Sequence, residues 1–362
     1  MRSPAPLKAD AVGLLLRTLR LATTRTDGDA LRDGWGLADH RGLDNLIDFE
    51  GCALWLSRRL RQIRANLGDR VTQLAHDLAA RNLLVDAETE TTLGHLAALD
   101  VPCILLKGAA RRALAHELPF ADARPTFDLD ILVPAAAAPD VWHALRREGY
   151  LLVHPGRKPR PEHHHLPGLL GPVGVAVEIH TSVAPGISPE VSWERLRPTA
   201  RRIHRFGVAI MVPSPTELLW DGMMHAVRGG ARGFRLYQFL AASCIVASGG
   251  GAEAALQQIR ARLAPTSAPP VALTSAWLAA ATWLGGVGED DPPAGLQRAL
   301  QWRLTVARRL SPDHRALGAF ADEASRLEFD LPPTRGVTRG LRPLGAVLVR
   351  NAYRCWRLAR AS

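Results

Sequence analysis

PTFDLDILVP, residues Pro125 to Pro134, is a run of strand-forming apolar residues carrying two acids two positions apart. Alternate residues on a strand point to the same face, so Asp128 and Asp130 project together while Phe127, Leu129 and Ile131 face the other way. Two like charges this close repel, and keeping both ionised near neutral pH calls for compensation by solvent, by arginine or by divalent cations. A pair of carboxylate oxygens is a ligand set that magnesium accepts. An edge strand with one wet face would carry the same two acids, so the chemistry has to be read from the surroundings.

Working outward, LVDAETETTLGHLAALDVP reads as a helix ending near Asp100, and CILLK as an apolar run of strand length. GAARRALAHEL opens on glycine and continues in strong helix formers before the broken stretch PFADARP. After the two acids, Pro139 and Asp140 mark the start of a helix in APDVWHALRREGY. A polar loop, GRKPRPEHHHLPG, leads into VGVAVEIHTSV, which alternates like a strand and carries Glu178 and His180. Strand, helix, strand, helix, strand in this order argues for a small α/β core. The expected fold class is α+β: a small mixed-sheet core over residues 85–212, an N-terminal helical region over 1–84 and a C-terminal helical region over 213–362. Breaks are expected at GGARG, SGGG and APTSAPP, and LRPLGAVLVRNAYRCWRLARAS reads as a basic amphipathic segment packed on the helical region.

Lys107 and Gly108 fall at the strand-to-helix junction, where glycine permits close backbone approach and a helix start favours phosphate; a glycine needed only for a tight turn is the other reading. Lys107 would add a point charge to the same anion. Glu178, two residues from His180 on a later strand, would complete a site for two metal ions if it reached the aspartates. Glu217, Asp221, His225 and Arg228 form one polar stripe on a helix.

LLKGAARRAL, then RPTFDLDILV, then HHHLP and finally VEIH resemble, in order, the motifs of the uncharacterised nucleotidyltransferase family within the polymerase-β-like superfamily. The likeness covers about Leu93 to Val212 and is weaker around His225. It implies a nucleotidyltransferase core in which Asp128, Asp130 and Glu178 hold two Mg2+ ions and act in catalysis, and in which Gly108, with Lys107, receives the phosphates of an NTP. It further implies that Arg124 neutralises the acids or holds a phosphate, that His165 contacts substrate or phosphate, and that His180 supports Glu178 or the acceptor. By the same likeness His225 and Arg228 face the cleft. The sequence departs from the superfamily at Ala109, where a serine is usual, and at Gln238, where an aspartate is expected. The implied partners are a nucleoside triphosphate and a small-molecule, peptide or protein acceptor, as in natural-product tailoring.

The 362 residues, 47% of them hydrophobic, suffice for a sizeable core and more than one domain. The net charge of +10 would suit a polyanion, but arginine far outnumbers lysine and alanine is abundant, as high-GC coding sequence produces, so nucleic acid is the less favoured partner. The four cysteines lie far apart without a CxxC pair, as buried thiols in a reducing cytoplasm would. The first twenty residues lack the pattern of a signal peptide, and no apolar run approaches the roughly 20 residues of a membrane span. A cytoplasmic location is expected. Two rivals remain: a catalytically silent nucleotide- or partner-binding module of the same fold, and an RNA-directed enzyme.

Overall fold

The computed structural model describes residues 10–21, 25–38, 40, 42–65, 68–155, 164–183, 187–228, 235–248, 252–263, 271–288 and 290–309. His163, the GGARG and APTSAPP breaks, most of SGGG and the basic C-terminal segment lie outside the described residues. In chain order the elements are α1 (Ala11–Leu19), α2 (Arg25–Leu37), α3 (Leu43–Phe49), α4 (Ala53–Gln62), α5 (Asp69–Ala98), β1 (Ile104–Leu105), α6 (Lys107–Ala113), β2 (Asp128–Leu132), α7 (Ala138–Arg147), β3 (Leu151–Leu152), β4 (Leu169–Leu170), β5 (Ala176–His180), α8 (Pro189–Leu196), β6 (Arg201–Arg205) and β7 (Val208–Val212). There follow α9 (Pro215–Arg228), α10 (Leu236–Ala247), α11 (Ala252–Leu263), α12 (Val271–Leu284) and α13 (Ala294–Arg309). The architecture is mixed α and β, as the sequence leads one to expect, and the chain divides into two compact units.

One unit comprises residues up to Val71, Met223–Ser243 and those from Ala261 onward, and its elements among the described residues are helices. Asp10 caps α1 by accepting from the Val12 N–H at 3.1 Å, satisfying one of the donors that a helix start leaves open. The Arg59 guanidinium donates to the carbonyls of Thr18 and Arg20 at 3.0 and 2.9 Å, closing the other end of the same helix against α4. Glu50 and Arg303 form a fully buried pair at 2.6 Å, and the second Glu50 oxygen accepts the Leu236 N–H at 2.7 Å. With both oxygens engaged, the desolvated charges are compensated.

The other unit, Thr72–Gly222 with Cys244–Arg260, holds the sheet. Strand order is β3-β4-β5-β2-β1-β7-β6, with β2 parallel to β5, β1 parallel to β7 and the remaining pairs antiparallel. β2 lies at the centre of this sheet, and Leu129, Ile131 and Leu132 are fully buried. Ile104, Leu106, Leu132, Trp193 and Leu196 make one apolar cluster that packs α8 onto the sheet. The β6–β7 hairpin has no counterpart in the sequence reading: RRIHR has too many charges to announce a strand. Its two-residue turn, Phe206 and Gly207 at φ 53° and 72°, has the positive φ pair that matches strand twist.

Candidate functional site

The site is built by strand register. Along β2 and β5 the Cα partners are Asp128 with Ala176, Asp130 with Glu178 and Leu132 with His180. Partners in a parallel pair share a face, so the two acids of β2 and the Glu178 and His180 of β5 emerge together. Asp130 and Glu178 are immediate neighbours across the strands. Asp130, Glu178 and His180 offer ligand atoms within 4.8 Å of one another, a group that does not include Asp128.

Such an arrangement needs internal counter-charges, and two basic side chains stand against it. Lys107 Nζ donates to Asp130 Oδ1 at 2.6 Å, and His180 Nε2 meets the same oxygen at 2.7 Å. The same His180 nitrogen is 3.4 Å from Glu178 Oε2, while Nδ1 faces the Ser182 carbonyl at 3.4 Å. With acceptors at both ring nitrogens the imidazolium is favoured: burial pushes the His180 pKa down, but the carboxylates outweigh it and raise it. Protonated, His180 is a counter-charge to the acids, and it can ligate metal only after losing that proton.

The acids respond unequally. Burial would raise the Asp130 pKa, yet Lys107 and His180 hold it well below the usual carboxylate range. Glu178 is also depressed, by its His180 contact first. Asp128 is pushed up to about 6, by burial and then by the Asp130 charge, with Lys107 opposing only in part. Asp130 Oδ2 is buried and has no hydrogen-bond partner among the described residues.

Lys107 reaches Asp130 because its backbone sits at φ 46°, a left-handed conformation that costs a non-glycine residue on the order of 1 kcal/mol or more. Its carbonyl accepts from Arg111 Nη1 at 3.2 Å, and Arg111 Nη2 donates to the Leu218 carbonyl of α9 at 2.8 Å. Burial first, and then Arg124, bring the Arg111 pKa down to about 10. Burial also opposes the charge on Lys107, but Asp130, Asp221 and Asp128 together hold its pKa above the ordinary value. Asp221 thus belongs to the electrostatics of the site.

Gly108 has a packing reason to be glycine: a Cβ there would lie 2.5 Å from Arg124 Nη1 and 2.6 Å from Thr126 Cγ2. The close approach foreseen at this residue is made by the protein's own chain. Arg124, over Gly108, donates to the Pro125 carbonyl at 3.0 Å and offsets a small part of the rise in the Asp128 pKa. Asn82 of α5 fixes the entry to β2, donating to the carbonyls of Asp122 and Arg124 and accepting the Thr126 N–H at 3.1 Å. A lone asparagine in a helical stretch gave no signal of this.

His164 and His165 lie beside the end of β5, where His165 bridges His180 and the Thr181 N–H donates to the His164 carbonyl at 3.1 Å. His165 Nε2 is 4.0 Å from Glu178 Oε2, with its Nδ1 2.8 Å from the Leu166 carbonyl. Burial, then the neighbouring His180 and His165, push the His164 pKa down to about 4. The structure therefore gathers Asp128, Asp130, Glu178, Lys107, Gly108, Arg124, His165 and His180 in one unit. His225 and Arg228 belong to the last turns of α9, in the residues of the other unit; His225 is exposed, and the Arg228 side chain lies outside the described residues.

A sequence profile described as uncharacterised nucleotidyltransferase matches residues 39–284. The chain belongs to the uncharacterised nucleotidyltransferase family. Among solved structures, the antibiotic-resistance factor ANT(2'')-Ia matches 51% of this chain and 95% of its own, at 12% identity and a TM-score of 0.37. No curated protein matches this nucleotidyltransferase. Its three described cysteines, Cys52, Cys103 and Cys244, are buried and form no disulfide, and none of its described helices is long and apolar enough to cross a membrane.

For this nucleotidyltransferase the donor set decides which cation fits. Two carboxylates side by side, a third two residues along and one buried, unpartnered carboxylate oxygen suit a hard divalent ion that takes oxygen ligands.

Proposed function

We propose that this nucleotidyltransferase is magnesium-dependent and moves a nucleoside monophosphate from an NTP to a hydroxyl or phosphate of a small-molecule, peptide or protein acceptor. The observation that carries the reading is the register of Asp130 with Glu178, together with the unpartnered Asp130 Oδ2. Asp128, Asp130 and Glu178 would hold two Mg2+ ions. Bound there, the ions would supply charge neutralisation at the triphosphate and at the attacking oxygen.

The chain's own groups do the rest. Lys107, with Gly108 opening α6 beside it, meets the phosphates, and Arg124 adds a planar donor fork from across Gly108. Glu178 stays ionised at neutral pH, as an acceptor of the incoming hydroxyl's proton must be, and His180 steadies it. The acceptor oxygen bonds to the α-phosphorus as the bond to pyrophosphate breaks, and pyrophosphate leaves. His165 lines the acceptor side.

Calorimetry with the four NTPs, with and without Mg2+, tests the reading on wild type beside the double variant Asp128→Asn/Asp130→Asn. Magnesium-dependent NTP binding that the double variant loses supports it. Binding of a nucleotide without Mg2+, unaffected by the two substitutions, would sink it in favour of a silent binding module. RNA retention that survives loss of Asp130 would favour the RNA-directed alternative.

A further inference from the structure

We propose that Lys107 is a built-in counter-cation of Asp130 which a divalent ion displaces, so that the ion binds first and frees the ammonium for the phosphates of the nucleotide. The inference rests on the metal-dependent reading above.

Two basic side chains share Asp130 Oδ1, and only one of them is placed to leave. His180 is fully buried and has acceptors at both ring nitrogens. The Lys107 side chain retains 21% exposure against 1% for the Asp130 it contacts, so Lys107 is the solvent-side member of the pair. Its backbone is fixed: the left-handed φ and the Arg111 contact to its carbonyl pin the residue, leaving the flexible four-carbon stem as the part that moves. Other anions lie within its field, Asp221 and Asp128, so an ammonium released from Asp130 is not stranded.

An ammonium on one carboxylate oxygen and a divalent ion on the other repel strongly at such separations. Whatever favours the ion therefore favours the departure of Lys107, and by linkage the reverse holds to the same extent. An NTP arriving before the ion would find the ammonium engaged with Asp130. The order of binding follows from which anion Lys107 serves.

The test uses the full chain and two probes, Mn2+ alone and a panel of NTP analogues with a methylene α–β bridge. Lys107→Met is expected to tighten Mn2+ about tenfold in calorimetry, because a like charge has gone, and to weaken the Mn2+-loaded analogue about tenfold. Lys107→Arg, which keeps the charge, should leave the Mn2+ affinity near wild type. A wild-type measurement stands independent of folding in the variants: acetylation of Lys107 by acetic anhydride, read by mass spectrometry, should speed up when Mn2+ is added. Unchanged or weaker Mn2+ binding in a folded Lys107→Met, or a Lys107 that Mn2+ leaves unreactive, would overturn the proposal. Absence of any Mn2+ binding to wild type would instead bring down the metal-dependent reading itself.

Discussion

Replacing Asp128 by asparagine should stabilise the metal-free protein while destroying its chemistry. The folded environment moves this carboxyl from its ordinary 3.8 to about 6. Because the folded state holds its proton more tightly than the unfolded chain, stability falls as pH rises from near 4 through 6, and the full cost is present above that. Two pK units correspond to about 3 kcal/mol. Asp128 keeps partial solvent access, so about 1–2 kcal/mol is the expected gain on removing its charge at pH 8, a shift of several degrees in melting temperature. Thermal unfolding in EDTA at pH 8, 5 and 4 provides the assay. Asparagine should exceed wild type most at pH 8, by roughly half as much at pH 5 and hardly at all near pH 4. With Mg2+ present the order should reverse, since wild type gains binding energy that the variant lacks. A variant less stable than wild type in EDTA at pH 8, or a difference indifferent to pH, would refute the electrostatic reasoning.

Asp130→Asn should act in the opposite sense, leaving the Lys107 and His180 cations without their buried partner and costing about 3 kcal/mol or more in denaturant unfolding, with Mg2+ binding lost. Gly108→Ala places a methyl against Arg124 and Thr126; urea titration should show a loss of about 1–3 kcal/mol, and calorimetry a weaker NTP. In the helical unit, Glu50→Gln strands Arg303 and should cost about 3–5 kcal/mol, seen as a lowered melting temperature.

Local periodicity made the acids legible: two aspartates on one face of a strand and a glutamate and histidine on one face of another follow from alternation alone. The β2–β5 register, which makes Asp130 and Glu178 neighbours, joins residues some fifty positions apart and leaves no local trace. A separation of 23 positions likewise hides the Lys107–Asp130 contact, so Lys107 reads from sequence only as a phosphate ligand. Gly108 shows a related limit. Close approach was legible there, but not that Arg124 and Thr126 make it. The β6 strand was illegible for a physical reason: at the end of the sheet, four of its five residues are exposed and its charges protect an open edge, so the apolar alternation that announces a strand is missing.

The acids of the site are solvated and compensated to different degrees, and that difference carries the functional argument further than their number does. Asp130 has two cations on one oxygen and is stable as an anion without any ligand. Asp128 has no comparable partner among the described residues, and burial and its neighbour push its pKa up to about 6. A purely structural pair would be expected to have both charges satisfied, because an unmet buried charge is a standing cost to folding. Here the cost is concentrated on one carboxyl and on Asp130 Oδ2, both on the face where Glu178 also emerges. A divalent ion bound there would relieve both at once. The same reasoning makes Lys107 a weaker substitute for that ion: it satisfies Asp130 Oδ1 and leaves Asp128 and Oδ2 as they were.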